Sequence, residues 1–504
     1  MRPNSPVRSR TLPRTHRARS SQNVTPQLEP DKLRKMRRWI LGFATVNFDL
    51  EFGPTVESVD PYVWLSSSES ENIAFSSFPD CPQFEEGSQT HSFRIRDKIV
   101  TRDTRLGHID RPPPLDGFLY GFSYFAQNKD PSSKRGYLQR SLVILTHHPY
   151  PALFDAVIDI LGPLYFQHGH AMLETACHNI ANWPDPVKRA SLELGFLGSV
   201  FQVDLPGNSN EQQFANTGTA IDKIGPRRIL AATAPSSLPF ITILEESLSH
   251  VWSIWECLVL CEPILIYAPS PNVTSEAGWW LRDIIRPIPL SGDFRPYFTI
   301  HDQDHSAIVN KMPPQTGLIV GITNPLIERA CTHWPHLLSL GCNRSERPGH
   351  GQTQEKSLAG PKPGWTTKTH NRYISKDRAL LKKIEDACHG DDRSKMEASL
   401  ALRRHFGSRT NELLVPLHRY LNTLIPPPAA QSSSSTYTQR RLKPFSTKDF
   451  LASLKANGSP LPFRSASRRS EFYSRWLRTP AFGLWLAQQE EVVEEALKGS
   501  PHRH

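Results

Sequence analysis

The amino-acid sequence predicts two α/β modules in succession, closed by an all-helical end. Three observations carry this. Apolar runs rich in aromatic and β-branched residues recur between residues 39 and 146, and apolar residues at helical spacing follow (Leu153, Phe154, Val157, Ile160, Leu161). Between residues 243 and 322 the order is helix, strand, helix, strand, as in a second α/β unit. Beyond residue 365 the only strong period is helical, with Phe406, Leu413, Leu417, Leu421 and Leu424 on one stripe.

With 504 residues there is room for roughly two to four domains. A hydrophobic share of 38% supports real cores, whereas the 44 prolines cluster in linkers and tails. The net charge of +10 is unevenly placed, because eleven Lys and Arg fall within residues 1–38 against only Glu29 and Asp31. The folded part is therefore less basic than the pI of 9.2 implies. Residues 1–35 are rich in Arg, Ser, Pro and Thr, which predicts a disordered basic arm. Pro3, Pro6 and Pro13 argue against an amphipathic transit helix, and attraction to anionic lipid is the livelier expectation. The seven cysteines are scattered, and no pair has zinc spacing with a second pair to match. That usage fits a reducing, cytoplasmic compartment. The longest apolar segment, residues 254–268, is interrupted by Glu256, Glu262 and Pro263, so no bilayer span is expected.

The first module is expected over residues 36–206. The run Trp39-Ile-Leu-Gly-Phe-Ala-Thr-Val-Asn-Phe predicts a strand covered on both faces, and residues 55–59 return as its hairpin partner. Residues 65–73 read as a helix and 74–78 as a further strand. Phe93-Arg-Ile-Arg alternates as an edge strand does, and residues 118–125 and 138–146 form another pair. Residues 207–235 read as an interdomain linker. The second module, residues 236–342, is expected to hold a buried helix over 243–260, a buried strand over 263–268, a helix over 279–285 and a buried strand over 317–322. A polar loop over 343–364 leads to the helical module, residues 365–500. There Ser375 and Thr447 are candidate helix caps, and a Ser-rich linker covers 429–440.

Residues 290–334 are the densest stretch for chemistry. Asp293, Arg295, Tyr297, His301 and Asp302 crowd together among aromatics, and a buried strand then delivers Thr323-Asn324-Pro to a surface. Such a segment is either an active site or a docking surface. No phosphate loop, nucleophile elbow or His-Glu-x-x-His helix is present, so no catalytic residue, metal or cofactor is assigned. His301-x3-His305 lacks a third ligand, and Cys331, His333 and His336 lack a second ligand pair. The folded part shows no basic-aromatic stripe for nucleic acid. Arg295 between Asp293 and Asp302 is expected to fix a loop by ion pairing or to serve as a docking contact.

The stretch Asp293-Phe-Arg-Pro-Tyr-Phe-Thr-Ile-His-Asp, followed by Gly321-x-Thr-Asn-Pro and His333-Trp-Pro-His, closely resembles the DENN domain-containing protein 6 family. The resemblance extends to Val46-Asn-Phe-Asp-Leu-Glu, Ser77-Phe-Pro-Asp, Tyr120-Gly-Phe, Lys134-Arg-Gly-Tyr, Ala268-Pro-Ser-Pro and Thr479-Pro-x-Phe, covering roughly residues 36–500. It implies a tripartite DENN architecture: an N-terminal longin-like α/β module, a central α/β module and a C-terminal helical module. It also implies guanine-nucleotide exchange on a Rab-type small GTPase at endosomal, in particular recycling-endosome, membranes, with no covalent chemistry. Asp293, Arg295, Tyr297, His301, Asp302 and Asn324 are then GTPase-interface or loop-locking candidates. A non-catalytic GTPase-binding scaffold of the same fold is the alternative. The chain departs from the family at Asp60-Pro61, where Tyr usually precedes the proline, in the two linkers, and in its Arg-rich arm.

Overall fold

The structure, a computed structural model, describes residues 28–49, 51–80, 86–97, 111–131, 136–214, 227–235, 237–341, 361–426 and 442–498. The arm up to residue 27, most of the loop expected over 343–364 and the Ser-rich linker over 429–440 lie outside the described residues.

Helix α1 (Pro30–Met36) begins inside the stretch expected to lack structure and ends at the first residue of the expected module. Pro30 opens it, Asp31 sits at its positive end, and Arg34 and Lys35 sit at its negative end. Burial of Met36 anchors it, and one apolar anchor is too little to register in a composition. Strands β1 (Gly42–Asp49) and β2 (Gly53–Asp60) make the expected hairpin. Helix α2 (Ser67–Ser76) runs through the residues expected to turn into a strand. A capping box between Ser66 and Glu69 starts it, and Ile73 and Ala74 continue its buried face rather than leaving it. Strands β3 (Gly87–Arg96), β4 (Phe118–Lys129) and β5 (Tyr137–Thr146) complete an antiparallel sheet ordered β2-β1-β5-β4-β3.

Both faces of this sheet are buried, which explains the continuous apolar runs. Leu142 and Ile144 of β5 join Phe43 and Phe122 on one side, under Phe154, Val157 and Leu161 of α3 (Pro151–His168). Val143 and Leu145 face the other side, with Val46, Phe93, Ile95 and Ile73 of α2. Helix α4 (His170–Ala181) packs on α1 and α3. A small sheet follows, in which β6 (Ser191–Phe196) and β7 (Ser199–Asp204) form a hairpin. Strand β8 (Arg227–Leu230), within the expected linker, pairs in parallel with β7 and buries Ile229.

The buried helix expected over 243–260 is broken into α5 (Phe240–Ile243), a 3-10 turn (Glu245–His250) and α6 (Val251–Val259). The first piece is turned toward the later helices, where the Ile241 N–H donates to Ser399 Oγ at 3.2 Å. Strand β9 (Ile264–Tyr267) is the expected one. Helix α7 (Pro271–Ile284) begins well before residue 279, because Ser270 caps it and Pro271 suits its first turn. Then come β10 (Phe294–Arg295), α8 (His305–Ile308), β11 (Ile319–Ile322), α9 (Pro325–Ala330), β12 (His336–Ser339) and β13 (Gly364–Thr367). The second sheet is ordered β10-β11-β9-β12-β13, parallel except for β13, so it extends past residue 342.

The helical end comprises α10 (Arg378–Cys388), α11 (Asp392–Leu424), α12 (Thr447–Asn457), α13 (Ala466–Trp476) and α14 (Pro480–Lys498). Its caps are Asp377 and Ser446 rather than Ser375 and Thr447. Helix α11 docks on α6, where Trp252 Nε1 donates to His405 at 3.2 Å and Trp255 Nε1 to Thr410 Oγ1 at 3.0 Å. Among the described residues no helix is long and apolar enough to cross a membrane.

Candidate functional site at the junction of the two sheets

Strand β3 ends the first sheet, yet it is not a free edge. Helix α7 of the second module lies against it. Trp279 Nε1 donates to Ser92 Oγ at 2.7 Å, and the Ser92 N–H donates to Ser275 Oγ at 3.3 Å. Covering an edge strand in this way satisfies ladder groups that would otherwise recruit another chain. Alternation puts Arg94 and Arg96 on the same side of β3, where they meet the residues that follow α7.

There Arg295 is the hub. Its side chain is fully buried. Nε donates to Asp293 at 3.0 Å and Nη1 to Asp302 at 3.3 Å, while Nη2 pairs with Asp304. Nη1 also donates to the Arg94 carbonyl at 3.2 Å. From β3, Arg94 reaches Asp293 at 3.4 Å and Asp116 at 3.0 Å, and Arg96 reaches Asp293 at 3.3 Å and Asp304 at 2.7 Å. The Phe118 ring lies 3.4 Å from the Arg94 guanidinium carbon. Burial pushes the Asp293 carboxyl up, but Arg295, Arg94 and Arg96 outweigh it and hold that carboxyl below its ordinary range. For Asp302 burial wins over Arg295, and its value is raised. Burial opposes the charge on Arg295, but the surrounding aspartates raise its value. These charges are paired with one another.

Backbone close approach makes the geometry possible. Strand β10 pairs with β11 through Phe294↔Ile319 and Arg295↔Val320, and the Phe298 N–H donates to the Gly321 carbonyl at 2.8 Å. A Cβ on Gly321 would lie 2.3 Å from the Pro296 carbonyl oxygen, so glycine is required there.

The remaining candidates tie the same two modules together. The Tyr297 hydroxyl donates to the Phe78 carbonyl at 3.0 Å and accepts the Asp80 N–H at 2.6 Å. Asn324 caps α9 through the Leu326 N–H, and its amide donates to both Asp80 carboxylate oxygens. Thr323 Oγ1 donates to the Asp80 carbonyl at 2.8 Å. Among the six candidates only His301 is exposed. Its ring stacks on Phe75 of α2 at 3.7 Å. The β1–β2 turn lies close by, since a Cβ on Gly53 would sit 3.7 Å from Phe75. Phe52 of that turn is 74% exposed and Ile300 is 39% exposed. An apolar rim therefore spans both modules at the edge of the buried clamp.

His301 and His305 do not share a helix, and His305 instead stacks on Phe298. Cys331, His333 and His336 also diverge. His333 Nε2 faces the Met312 carbonyl, whereas His336 joins Cys257 and Glu262, with ligand atoms within 4.8 Å of one another. Those donors are already committed: Glu262 binds both His336 and Arg475, and His336 Nδ1 faces Thr367 Oγ1 at 3.0 Å. The trio reads as a strut between the second module and α13. Sequence reasoning missed Arg94, Arg96, Asp304 and Phe75. The alternation of Phe93-Arg-Ile-Arg was the available signal for the two arginines, but their partners lie some two hundred positions away.

An antiparallel α/β module clamped to a parallel one and closed by helices is the tripartite architecture of a DENN protein. No family model matches the chain. Human DENND6B is 31% identical over 476 residues, which cover 91% of this chain and 80% of the relative. Chicken (Gallus gallus) DENND6A is 30% identical over 486 residues, with the same coverage, and the Dictyostelium discoideum DENND6 homologue is 28% identical over 544 residues, covering 91% of this chain and 72% of the relative. The chain belongs to the DENN domain-containing protein 6 family.

Proposed function

We propose that the chain is a guanine-nucleotide exchange factor for a Rab-type small GTPase, working from the cytoplasm as a peripheral protein of endosomal membranes. The observation that carries this is the family match, which runs through both α/β modules and the helical end. The first module takes the longin-like role. Asp293, Arg295, Tyr297, Asp302 and Asn324 act as the lock between modules, because all but the half-buried Asp293 are buried and each is bonded across or beside the junction. His301, with Phe75, Phe52 and Ile300, is the contact for the GTPase.

The mechanism needs no proton transfer. A GTPase holds nucleotide and Mg²⁺ through ordered switch loops. A protein that binds the empty form more tightly than the loaded form promotes release by linkage. Weakening nucleotide a thousandfold takes about 4 kcal/mol of differential affinity. Two or three desolvated aromatic contacts on a rigid rim are of that size. Rigidity is what the clamp contributes, since a rim divided between two mobile modules loses its binding energy to ordering.

The test is release of a fluorescent guanine nucleotide across a Rab panel. At least one Rab is expected to be accelerated by wild type and not by His301→Ala. A folded protein that accelerates none sinks the exchange reading. Binding that prefers the GTP form without acceleration supports the scaffold alternative.

A further inference from the structure

The first module carries a second surface, at the end of the β1–β2 hairpin away from Phe52. A cleft of about 390 Å³ opens there between the end of α1, the start of the loop after β5 and residues 112–115. Buried Trp39, Ile40 and Leu41 line it, and Arg37 and Arg38 stand in its wall. Arg37 donates to the Tyr62 carbonyl at 2.8 Å, which holds Tyr62 beside the cleft, and Arg38 pairs with Asp185. His148 meets the Arg38 carbonyl through Nε2 at 2.7 Å, and its buried Nδ1 has no partner. Arg111, next to the cleft residues Pro112 and Pro113, reaches the Trp64 carbonyl at 3.5 Å.

Around this cleft three large apolar side chains face solvent: Tyr62 is 74% exposed, Trp64 48% and Leu115 67%. Single exposed apolar residues are ordinary, but a cluster of them marks an interaction surface. The adjoining segment is basic on balance, although Asp185 stands in the cleft wall, Arg34 pairs with Asp31 and Lys32 lies 3.7 Å from Glu29. Residues 28–38 carry Lys32, Arg34, Lys35, Arg37 and Arg38 against Glu29 and Asp31, and residues 1–27 add six arginines and no acid. Arg34 lies one helical turn before Arg37.

We infer that this face docks the protein on a bilayer bearing anionic headgroups, with Tyr62, Trp64 and Leu115 entering the interface and the α1 cations lying against the phosphates. Tyr and Trp settle at headgroup level, and each basic residue brought to an anionic surface strengthens attachment about fivefold. The chain's own basic arm is a poor occupant, because it shares the sign of the surface. The inference rests on the peripheral-membrane part of the proposed function and makes a folded surface, not the arm alone, the docking element.

Co-flotation of the full chain with phosphatidylcholine vesicles, with and without phosphatidylserine, tests it. Wild type is expected to bind only the anionic vesicles. Tyr62→Ala with Trp64→Ala, and separately Leu115→Asp, should each weaken that binding about tenfold or more with the arm intact and the melting temperature unchanged. Arg34→Glu with Lys35→Glu should do the same. Wild-type failure to bind anionic vesicles overturns the inference, as does undiminished binding by the aromatic variant. It is also overturned if vesicle binding holds while the aromatic variant loses exchange on a membrane-free GTPase, which would make the face a protein contact. The vesicle readout uses no GTPase, so a failed exchange panel leaves it standing.

Discussion

Replacing Arg295 with alanine removes the cation that holds three aspartates at the junction of the two sheets. The Arg295 side chain is fully buried, that of Asp302 is 2% exposed and that of Asp293 11%. Deleting one partner of a buried ion pair costs roughly 3–5 kcal/mol, because the other charge is left uncompensated. Arg94 and Arg96 still reach Asp293 and Asp304. Among the described residues the Asp302 carboxylate keeps the Asp304 N–H, at 2.8 Å. A loss of about 4 kcal/mol is expected, a large share of an ordinary total stability of roughly 5–15 kcal/mol. At about 2–4 °C per kcal/mol this lowers the melting temperature by roughly 8–16 °C. The sign with pH follows from the aspartates. Asp293, held low in the fold, stabilises above its unfolded value of about 3.9, and that contribution fades as pH falls through its folded value. In the variant Asp302, already raised by burial, rises further and protonates first. The gap between wild type and variant should therefore narrow as pH drops toward the carboxylate range. Urea unfolding at neutral pH and near pH 5, paired with thermal melts, measures this. Arg295→Lys should fall between the two, retaining the charge without the fork. A variant within about 1 kcal/mol of wild type at neutral pH refutes the clamp. So does a fully stable variant that has lost exchange, which would make Arg295 a contact.

Three further outcomes are expected. His301→Ala, at an exposed stack on Phe75, should change stability by only about 0.5 kcal/mol yet lower nucleotide release at least tenfold, read by melting and stopped-flow fluorescence. Gly321→Ala forces a Cβ against the Pro296 carbonyl and Thr274 Oγ1, so it should lose about 1–3 kcal/mol in urea unfolding and loosen the candidate loop. Glu276 of α7 is pushed by burial up to about 8, although Ser237 and the Leu238 N–H bond to its carboxylate. A folded value above the unfolded one means that its stabilising effect is complete at low pH and is lost as pH rises through about 8. Glu276→Gln should flatten that decline, seen as a higher melting temperature than wild type at pH 9 and little difference at pH 5.

The strands buried on both faces were legible because continuous apolar runs admit few other readings, as at residues 39–48 and 138–146. The helical end was legible from its stripe, including Leu413, Leu417 and Leu421. Errors fell where a local signal had two uses. Pro269-Ser-Pro both ends β9 and starts α7, and the run 74–78 is β-prone in isolation, yet its first three residues complete α2. The segment 227–230 has too few apolar residues to register, and only its neighbour β7 makes it a strand. For the site, Arg295 with Asp293 and Asp302 was legible as a charge cluster. What the candidates meet across the junction was not, because Arg94, Arg96 and Asp80 are remote in sequence and no periodicity encodes their approach. His301 stands apart from its five companions by its exposure, a property of the assembled junction.

The most direct measurement is the affinity of the full chain for one responsive Rab in its nucleotide-free, GDP-bound and GTP-bound forms, by titration calorimetry or surface binding. The nucleotide-free form is expected to bind tightest, by about a thousandfold over the GDP form, equivalent to about 4 kcal/mol, and His301→Ala to remove most of this preference. Equal affinities for the three forms, or a preference for the GTP form, would contradict it.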